Sequence, residues 1–285
     1  MKTIKDCYQQ APVLSLDNVR KQYGQGCVNC HDQVDQLDHN YCPHCGTVYA
    51  LRDVSLALYP GEILGVVGES GSGKSTLMQI AYFDQETTAG QYQIDHPQVA
   101  ERNLFEVTKQ TKKWVKHQLL GMVYQNPMLG LRMSYSSLAN ISEKMIAANE
   151  RKVATMLDRS KDLLEVVNIP LRRASEPPKN FSGGMQQRIQ IAKALSNEPP
   201  ILLLDEVTTG LDLSVQADVL ELIKQIQRDL GISMMVVSHD LAVIRMLADR
   251  TVVMHQGKIV EQGLTDQILE DPQDAFTQKL VYSLL

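Results

Sequence analysis

Three groups of residues in the chain have the types and the spacing for chemistry. The run Gly68-Glu-Ser70-Gly71-Ser-Gly73-Lys74-Ser75-Thr76 has the form of a phosphate-binding loop. Its glycines let the backbone curl until N–H groups point at phosphate oxygens, and the N-terminus of the following helix adds its dipole. In such a loop Lys74 reaches the β- and γ-phosphates and the Ser75 hydroxyl ligates Mg²⁺. An accidental glycine-rich turn would lack the apolar strand before it and the helical pattern after it, and this sequence has both. The second group is the apolar run Ile201-Leu-Leu-Leu204 ending in Asp205-Glu206. A strand of this kind delivers Asp205 to its tip, where it positions the surroundings of Mg²⁺, and leaves Glu206 to polarise an attacking water. On its own an apolar strand ending in Asp-Glu is a common structural element. Downstream of a phosphate-binding loop it implies hydrolysis of a Mg-nucleotide.

The third group is Cys27-Val-Asn-Cys30 and Cys42-Pro-His-Cys45-Gly46, two paired-cysteine knuckles eleven residues apart. Four thiolates at this spacing suit tetrahedral Zn²⁺, and Pro43 and Gly46 help the second knuckle turn. The spacing is shorter than in many zinc ribbons. An iron centre, a site completed by His31, His39 or His44, and unliganded thiols all stay open. A closed four-ligand site is structural rather than catalytic, and a stabilised protrusion on a surface loop predicts a docking knob for a partner. Cys7 stands apart from the cluster and reads as an ordinary thiol.

The elements that must position these groups follow from periodicity. Residues Val13 to Val19 alternate like a strand, and the pattern resumes from Tyr49 with Leu51, Val54, Leu56 and Leu58 on one side. Pro60-Gly61 makes a turn, Ile63 to Val67 is a short buried strand, and a helix is predicted from Gly73 to about Ala81. The polar stretch 86–118 resists assignment, and its basic segment Lys109 to Lys116 reads as a solvated helix face. Ser136 to Asn168 has helical spacing and is closed by Pro170 and Pro177-Pro178. Helices from Gly183, Leu213 and Leu241 then alternate with strands Ile201–Leu204 and Ile232–Val237, and Thr251–His255 pairs with Gly257–Gly263 as a hairpin. Such alternation predicts a mostly parallel sheet covered on both faces.

Composition narrows the function. The 285 residues are 44% apolar and 21% charged with a formal net charge of −5, ordinary values for a globular chain. The absence of a long lysine or arginine run argues against a nucleic-acid partner. No secretory h-region and no uninterrupted apolar stretch of membrane-spanning length is found. The expectation is a cytoplasmic protein, peripheral at the inner face of a membrane if it docks on a membrane subunit. Four of the five cysteines crowd into one short stretch, a layout for a metal site in a reducing compartment rather than a disulfide framework.

Phe181-Ser182-Gly183-Gly184-Met-Gln-Gln-Arg188 resembles the signature motif of ABC ATPases, and the other family motifs follow in order. Tyr23 matches the aromatic that stacks on adenine, and Gln125 the glutamine that joins the Mg²⁺ site. Leu211-Asp212 matches the loop at the subunit interface, and His239 the switch histidine. The resemblance implies an α/β P-loop NTPase of ABC type with a mostly parallel core sheet, an antiparallel β lobe and a helical subdomain. It places the ATP-binding domain at 13–285, the cysteine insert at 24–47 and the helical subdomain at 125–182. ATP, Mg²⁺ and a structural Zn²⁺ are the implied cofactors. In this family the residues matching Ser182, Gly183 and Gly184 contact the γ-phosphate of ATP held by another subunit, so each site needs two chains, copies or paralogues. Asp212 sits at that interface, and His239 holds the γ-phosphate and the attacking water. Ser238-His239-Asp240 is not a hydrolase triad, because no nucleophile on a strained elbow accompanies it. Val207 departs from the family's usual proline after the Asp-Glu pair, so the local turn is expected to differ.

Gln125-Asn-Pro-Met-Leu-Gly-Leu-Arg132, Asn140-Ile-Ser-Glu-Lys-Met and the ending from Gly263 through Asp271-Pro-Gln-Asp resemble the ATP-binding subunit of phosphonate carbon–phosphorus lyase systems. That resemblance implies docking on a soluble lyase core. Oligopeptide, dipeptide and nickel-type importer ATPases share the ending, and a membrane permease is the alternative partner. A third reading, a soluble ABC protein acting on ribosomes or DNA, lacks the second domain or long coiled-coil insertion it would bring.

Overall fold

The computed structural model describes residues 10–31, 37, 39–99 and 102–283. Cys7 and the side chain of His31 lie outside the described residues. In chain order the elements begin with β1 (Leu14–Tyr23), α1 (Val28–His31), β2 (Val48–Leu58), β3 (Ile63–Val67), α2 (Lys74–Ala81) and β4 (Ala89–Ile94). They continue with α3 (Lys109–Gln118), β5 (Leu120–Val123), α4 (Pro127–Gly130), α5 (Ser137–Ala147), α6 (Val153–Val166) and α7 (Gly183–Leu195). The last are β6 (Ile201–Asp205), α8 (Leu213–Leu230), β7 (Ser233–Val237), α9 (Leu241–Leu247), β8 (Arg250–His255), β9 (Lys258–Leu264), α10 (Thr265–Glu270) and α11 (Ala275–Tyr282). The chain forms two compact units, one from Met1–Val107 with Val237–Leu285 and the other from Thr108–Val236.

The first unit holds an antiparallel sheet in the order β2-β1-β4. Its register slips between Leu16↔Leu56 and Val19↔Val54, and again before Lys21↔Leu51. Asn18 and Asp53 take φ of 48° and 53° at these irregularities, which lets Leu51 share the buried face of Val54, Leu56 and Leu58 despite its odd number. Strand β4 lies in the stretch that sequence alone could not assign. It pairs with β1 through Leu16↔Tyr92 and Leu14↔Ile94, and only those two of its side chains face inward. Tyr92 is fully buried between Phe83 and Phe105, with ring centroids 5.3 and 5.5 Å away, and its hydroxyl donates to Ala81 O at 2.9 Å. The end of α2 is thereby tied to the sheet. In the same unit β3 pairs parallel with β8, which pairs antiparallel with β9. The buried Glu62 carboxylate accepts from Arg250 Nε at 2.8 Å and so fastens the turn before β3 to β8.

In the second unit β5, β6 and β7 are neighbours in that order, with β5 and β6 parallel. Every residue of the three strands is buried. They read as continuous apolar runs because helices cover both faces of such a sheet. The predicted helical block Ser136 to Asn168 is two helices, α5 and α6. Asn149, at φ 73°, ends the first in the left-handed conformation, and Asn168, at φ 56°, ends the second. The basic segment forms α3, with only Val115 buried.

Lys144 on α5 is buried, and its Nζ donates to Leu120 O at 2.7 Å and Ala194 O at 3.1 Å, so it fastens α5 to β5 and to the end of α7. Burial, with Lys193 and Lys116 nearby, pushes the amine down to about 7. An unfolded lysine titrates near ~10.4. Between the two values the unfolded chain binds the extra proton, so this group's contribution to stability rises with pH and is lost as pH falls through 7. Wild type should gain stability over Lys144→Met by up to about 1 kcal/mol per pH unit from about pH 7.5 to 9.5, measured by urea unfolding. A difference independent of pH would show that Lys144 stays charged in the fold.

Candidate functional site

The phosphate-binding loop leaves β3 at Gly68 and enters α2 at Lys74. Gly68, Gly71 and Gly73 have φ of 151°, 79° and 103°, so the loop uses backbone conformations that side chains resist. The seat is tight as well as strained. A Cβ on Gly73 would run into the Ala50 carbonyl of β2, and one on Gly68 into the Met254 carbonyl of β8. Gly257, in the β8–β9 turn, donates its N–H to Ser72 O at 3.0 Å. Lys74 is buried, and its Nζ donates to Gly68 O at 2.7 Å and Glu69 O at 2.8 Å, which folds the cation over the mouth of the loop. Ser70, Gly71 and Ser75 are exposed there, with Thr76 half-buried. Tyr23, at the end of β1, is half-exposed; its hydroxyl donates to Gln85 Oε1 at 3.0 Å and Lys21 Nζ lies 4.9 Å from its ring centre. His239 is exposed just past β7. Ser238 N–H donates to Val66 O, and Asp240 caps α9 by accepting from Ala242 N–H at 2.8 Å.

The remaining residues lie in the second unit. Asp205 is buried at the tip of β6, and Glu206 follows at φ 46°. A non-glycine residue held left-handed costs about 1–3 kcal/mol and concentrates at functional positions. The Glu206 carboxylate Oε2 accepts from Gln125 Nε2 at 2.8 Å and from Thr209 Oγ1 at 3.1 Å. Val207, which replaces the usual proline, is buried. Gln125 itself sits on a backbone held from beneath. Buried Gln190 of α7 accepts from Tyr124 N–H and donates to Tyr124 O, both at 3.1 Å, while Gln187 donates to Gln125 O at 3.2 Å. Gln190 also donates to Gln187 Oε1 at 2.8 Å. Sequence reading gave Gln187 and Gln190 no such role; two amides at i, i+3 on the apolar face of a helix were the available signal.

Helix α7 begins at Gly183, capped by Ser182. Ser182 and Gly183 are exposed, whereas Gly184 packs so closely on Val215 of α8 that a Cβ would collide. Asp212 caps α8 by accepting from Val215 N–H at 3.0 Å, and Leu213 beside it is 85% exposed. The N-termini of α7 and α8 thus present their open N–H groups and polar caps on one exposed surface.

The four cysteines converge in the first unit. Their sulfurs all lie within 4.8 Å of one another. Cys27–Cys30, Cys27–Cys42 and Cys30–Cys45 are separated by 3.6, 3.8 and 3.7 Å. A disulfide needs ~2.05 Å. Four Zn–S bonds of ~2.3 Å set a tetrahedral edge of about 3.8 Å, so the donor set fits a Zn(Cys)₄ centre. His39 and His44 are exposed and do not join the cluster. The Thr47 hydroxyl, 3.2 Å from Cys45 Sγ, holds that thiol down at about 6, and the Tyr49 hydroxyl, donating to Cys30 Sγ at 3.1 Å, lowers Cys30. Both hydroxyls favour thiolates, the form a metal takes.

Gly73→Ala should therefore damage the loop twice, through its φ and through the Ala50 carbonyl. We expect Mg-ATP affinity at least about tenfold weaker, since an L-residue forced left-handed costs about 1–2 kcal/mol before any clash. Unchanged affinity in a titration would mean the loop is not seated on Ala50.

The ABC transporter family matches residues 51–209. The "Putative phosphonates utilization ATP-binding protein PhnK" of Escherichia coli (strain K12) is 42% identical over 252 residues, covering 88% of this chain and 96% of that protein. The "Oligopeptide transport ATP-binding protein OppD" of Bacillus subtilis (strain 168) is 35% identical over 254 residues, 88% of this chain and 71% of its own length. Among solved structures, the dimeric ATP-binding cassette MJ0796 bound to ADP and Pi superposes with a TM-score of 0.73 at 27% identity, over 88% of this chain and 98% of that one. This chain belongs to the ABC transporter family and is one of its ATP-binding, ATP-hydrolysing domains.

Proposed function

We propose that the chain is the ATP-driven motor of phosphonate utilisation and acts on a carbon–phosphorus lyase core. The observation that carries this reading is the match to PhnK, 42% identical along 96% of that protein, against 35% along 71% of OppD. In this reading the ATP-binding domain runs over 13–285, with the cysteine insert at 24–47 and a helical subdomain at 125–182. The partner in ATP binding is a second such chain, a copy or a paralogue, and the dimeric MJ0796 cassette supports that arrangement. No helix among the described residues is long and apolar enough to cross a membrane, which fits a subunit that docks on other proteins.

Tyr23 stacks on adenine. The N–H groups from Ser70 to Thr76 cradle the phosphates, and Lys74 swings from its carbonyl tethers to the β- and γ-phosphates. Bound Mg²⁺ would neutralise phosphate charge among the Ser75 hydroxyl, the Gln125 amide oxygen and Asp205. Glu206 takes the proton of the attacking water; the Gln125 N–H on one of its oxygens leaves the other to point at that water. His239 holds the γ-phosphate, and the exposed Ser182, Gly183 and Gly184 end of α7 offers N–H groups to the γ-phosphate bound by the second chain. Asp212 lies at the junction of the two chains. The four thiolates hold a structural Zn²⁺.

Glu206→Gln should keep ATP binding, slow single-turnover hydrolysis by at least ~10²-fold and trap the ATP-bound dimer. The same variant, tagged and recovered with Mg-ATP from its host, should bring down a soluble lyase core, identified by mass spectrometry. Recovery of integral membrane permeases would make the chain an importer motor. Turnover like wild type would remove Glu206 from its role.

A further inference from the structure

The cysteine module is attached to both segments that receive the nucleotide. Strands β1 and β2 stay paired to their ends, Gln22 with Tyr49 and Tyr23 with Val48, and the module closes the gap between them. Thr47, 1% exposed, is shared by the two sides: its hydroxyl accepts from Gly26 N–H at 3.0 Å and faces Cys45 Sγ at 3.2 Å. Tyr49 donates its hydroxyl to Cys30 Sγ at 3.1 Å and its N–H to Asn40 O at 2.7 Å. The next residue, Ala50, supplies the carbonyl wall on which Gly73 of the phosphate loop rests. Two residues further along β2, Arg52 donates its N–H to Gly257 O at 2.7 Å, and Gly257 in turn donates to Ser72 O at 3.0 Å. Two short paths therefore lead from the sulfurs to the nucleotide contacts: through Thr47 and Gly26 to the end of β1 at Tyr23, and through Tyr49 and Ala50 to Gly73.

We propose that the four-thiolate centre is a metal-dependent determinant of ATP affinity, with Zn²⁺ occupancy holding Tyr23 and the Gly68–Thr76 loop in their binding positions. The proposal rests on the reading of Tyr23 and that loop as adenine and phosphate contacts. Its physical basis is the small size of the module. Among the described residues, one four-residue helical turn, α1, and an isolated bridge between Tyr41 and Val48 lie around the cluster. In a segment this short, four metal bonds would be the main cross-link. Without them the two knuckles separate, Thr47 and Tyr49 lose their sulfur partners, and the ends of β1 and β2 fray. ATP must then reorder that edge on binding, and its apparent affinity falls by the fraction of chains already ordered. An ordered fraction of about one in ten corresponds to a tenfold loss.

The test measures Mg-ATP affinity on the full chain in the Glu206→Gln background, where slow hydrolysis permits equilibrium titration. Three preparations are compared by metal analysis and titration: zinc-loaded, stripped with a thiol-reactive mercurial and chelator then reduced, and stripped protein given Zn²⁺ again. We expect one zinc per chain, an affinity about tenfold weaker on stripping, and recovery with added Zn²⁺. Single-turnover hydrolysis of the wild-type chain at saturating ATP should change little, which separates positioning of the nucleotide from chemistry. Tyr49→Phe removes one path and leaves all four ligands. It should keep its zinc and still bind Mg-ATP several-fold more weakly, and it decides the matter if stripping unfolds the chain. Unchanged affinity in folded stripped protein, or in Tyr49→Phe, overturns the coupling while the zinc reading stands. A chain that neither retains nor takes up zinc overturns both, and a loop variant that fails to weaken ATP would instead discredit the nucleotide reading.

Discussion

The reciprocal pair of hydrogen bonds between the Gln190 side chain and the backbone of Tyr124 is the constraint on which the placement of Gln125 beside Glu206 depends. Tyr124 follows β5 directly, where the chain leaves the sheet and its backbone groups lose their ladder partners. A buried N–H or C=O left without a partner costs about 1–3 kcal/mol. Gln190 satisfies both groups, Gln187 adds a bond to the next carbonyl, and the two amides brace each other. These bonds hold the segment against α7. From that position Gln125 reaches the carboxylate of Glu206, whose own backbone is held left-handed. Because both amides belong to α7, the helix capped by Ser182 also holds the backbone of the residue that donates to Glu206.

The same logic governs the phosphate loop, with backbone carbonyls in place of amide side chains. The Ala50 carbonyl of β2 closes on Gly73, and the β8–β9 hairpin supplies the Met254 carbonyl against Gly68 and the Gly257 N–H to Ser72 O. Gly68 and Gly73 are thus required by close approach as much as by turning, and Gly71 by its left-handed turn alone. Lys74 completes the arrangement by holding its charge on the loop's own carbonyls, a desolvated cation that phosphate oxygens can satisfy better.

What could be read from sequence follows the same physics. β3, β6 and β7 were legible because strands buried on both faces are uninterrupted apolar runs. β4 was not, because only Tyr92 and Ile94 turn inward among glutamines. The break between α5 and α6 hid in Ala-Ala-Asn-Glu, with no proline or glycine to mark it; Asn149 makes the left-handed turn instead. In the site, residues whose chemistry requires a fixed spacing were named directly: the loop, the Asp-Glu pair and the paired cysteines. Residues that act through another residue were silent. Gln187 and Gln190 look like ordinary helix polars until their burial is seen, and Thr47 and Tyr49 show their link to the sulfurs only through contacts in space.

The most direct measurement is single-turnover hydrolysis by Gln190→Met beside its Mg-ATP affinity. Methionine keeps the length and apolar packing of the side chain and removes both hydrogen bonds to Tyr124. If the amide brace sets the position of Gln125 and Glu206, hydrolysis slows by about tenfold or more, as loss of two buried partners at about 1 kcal/mol or more each requires, while ATP affinity stays within about twofold because the phosphate loop is seated elsewhere. Hydrolysis at the wild-type rate, or weakened binding with the rate intact, would contradict the account.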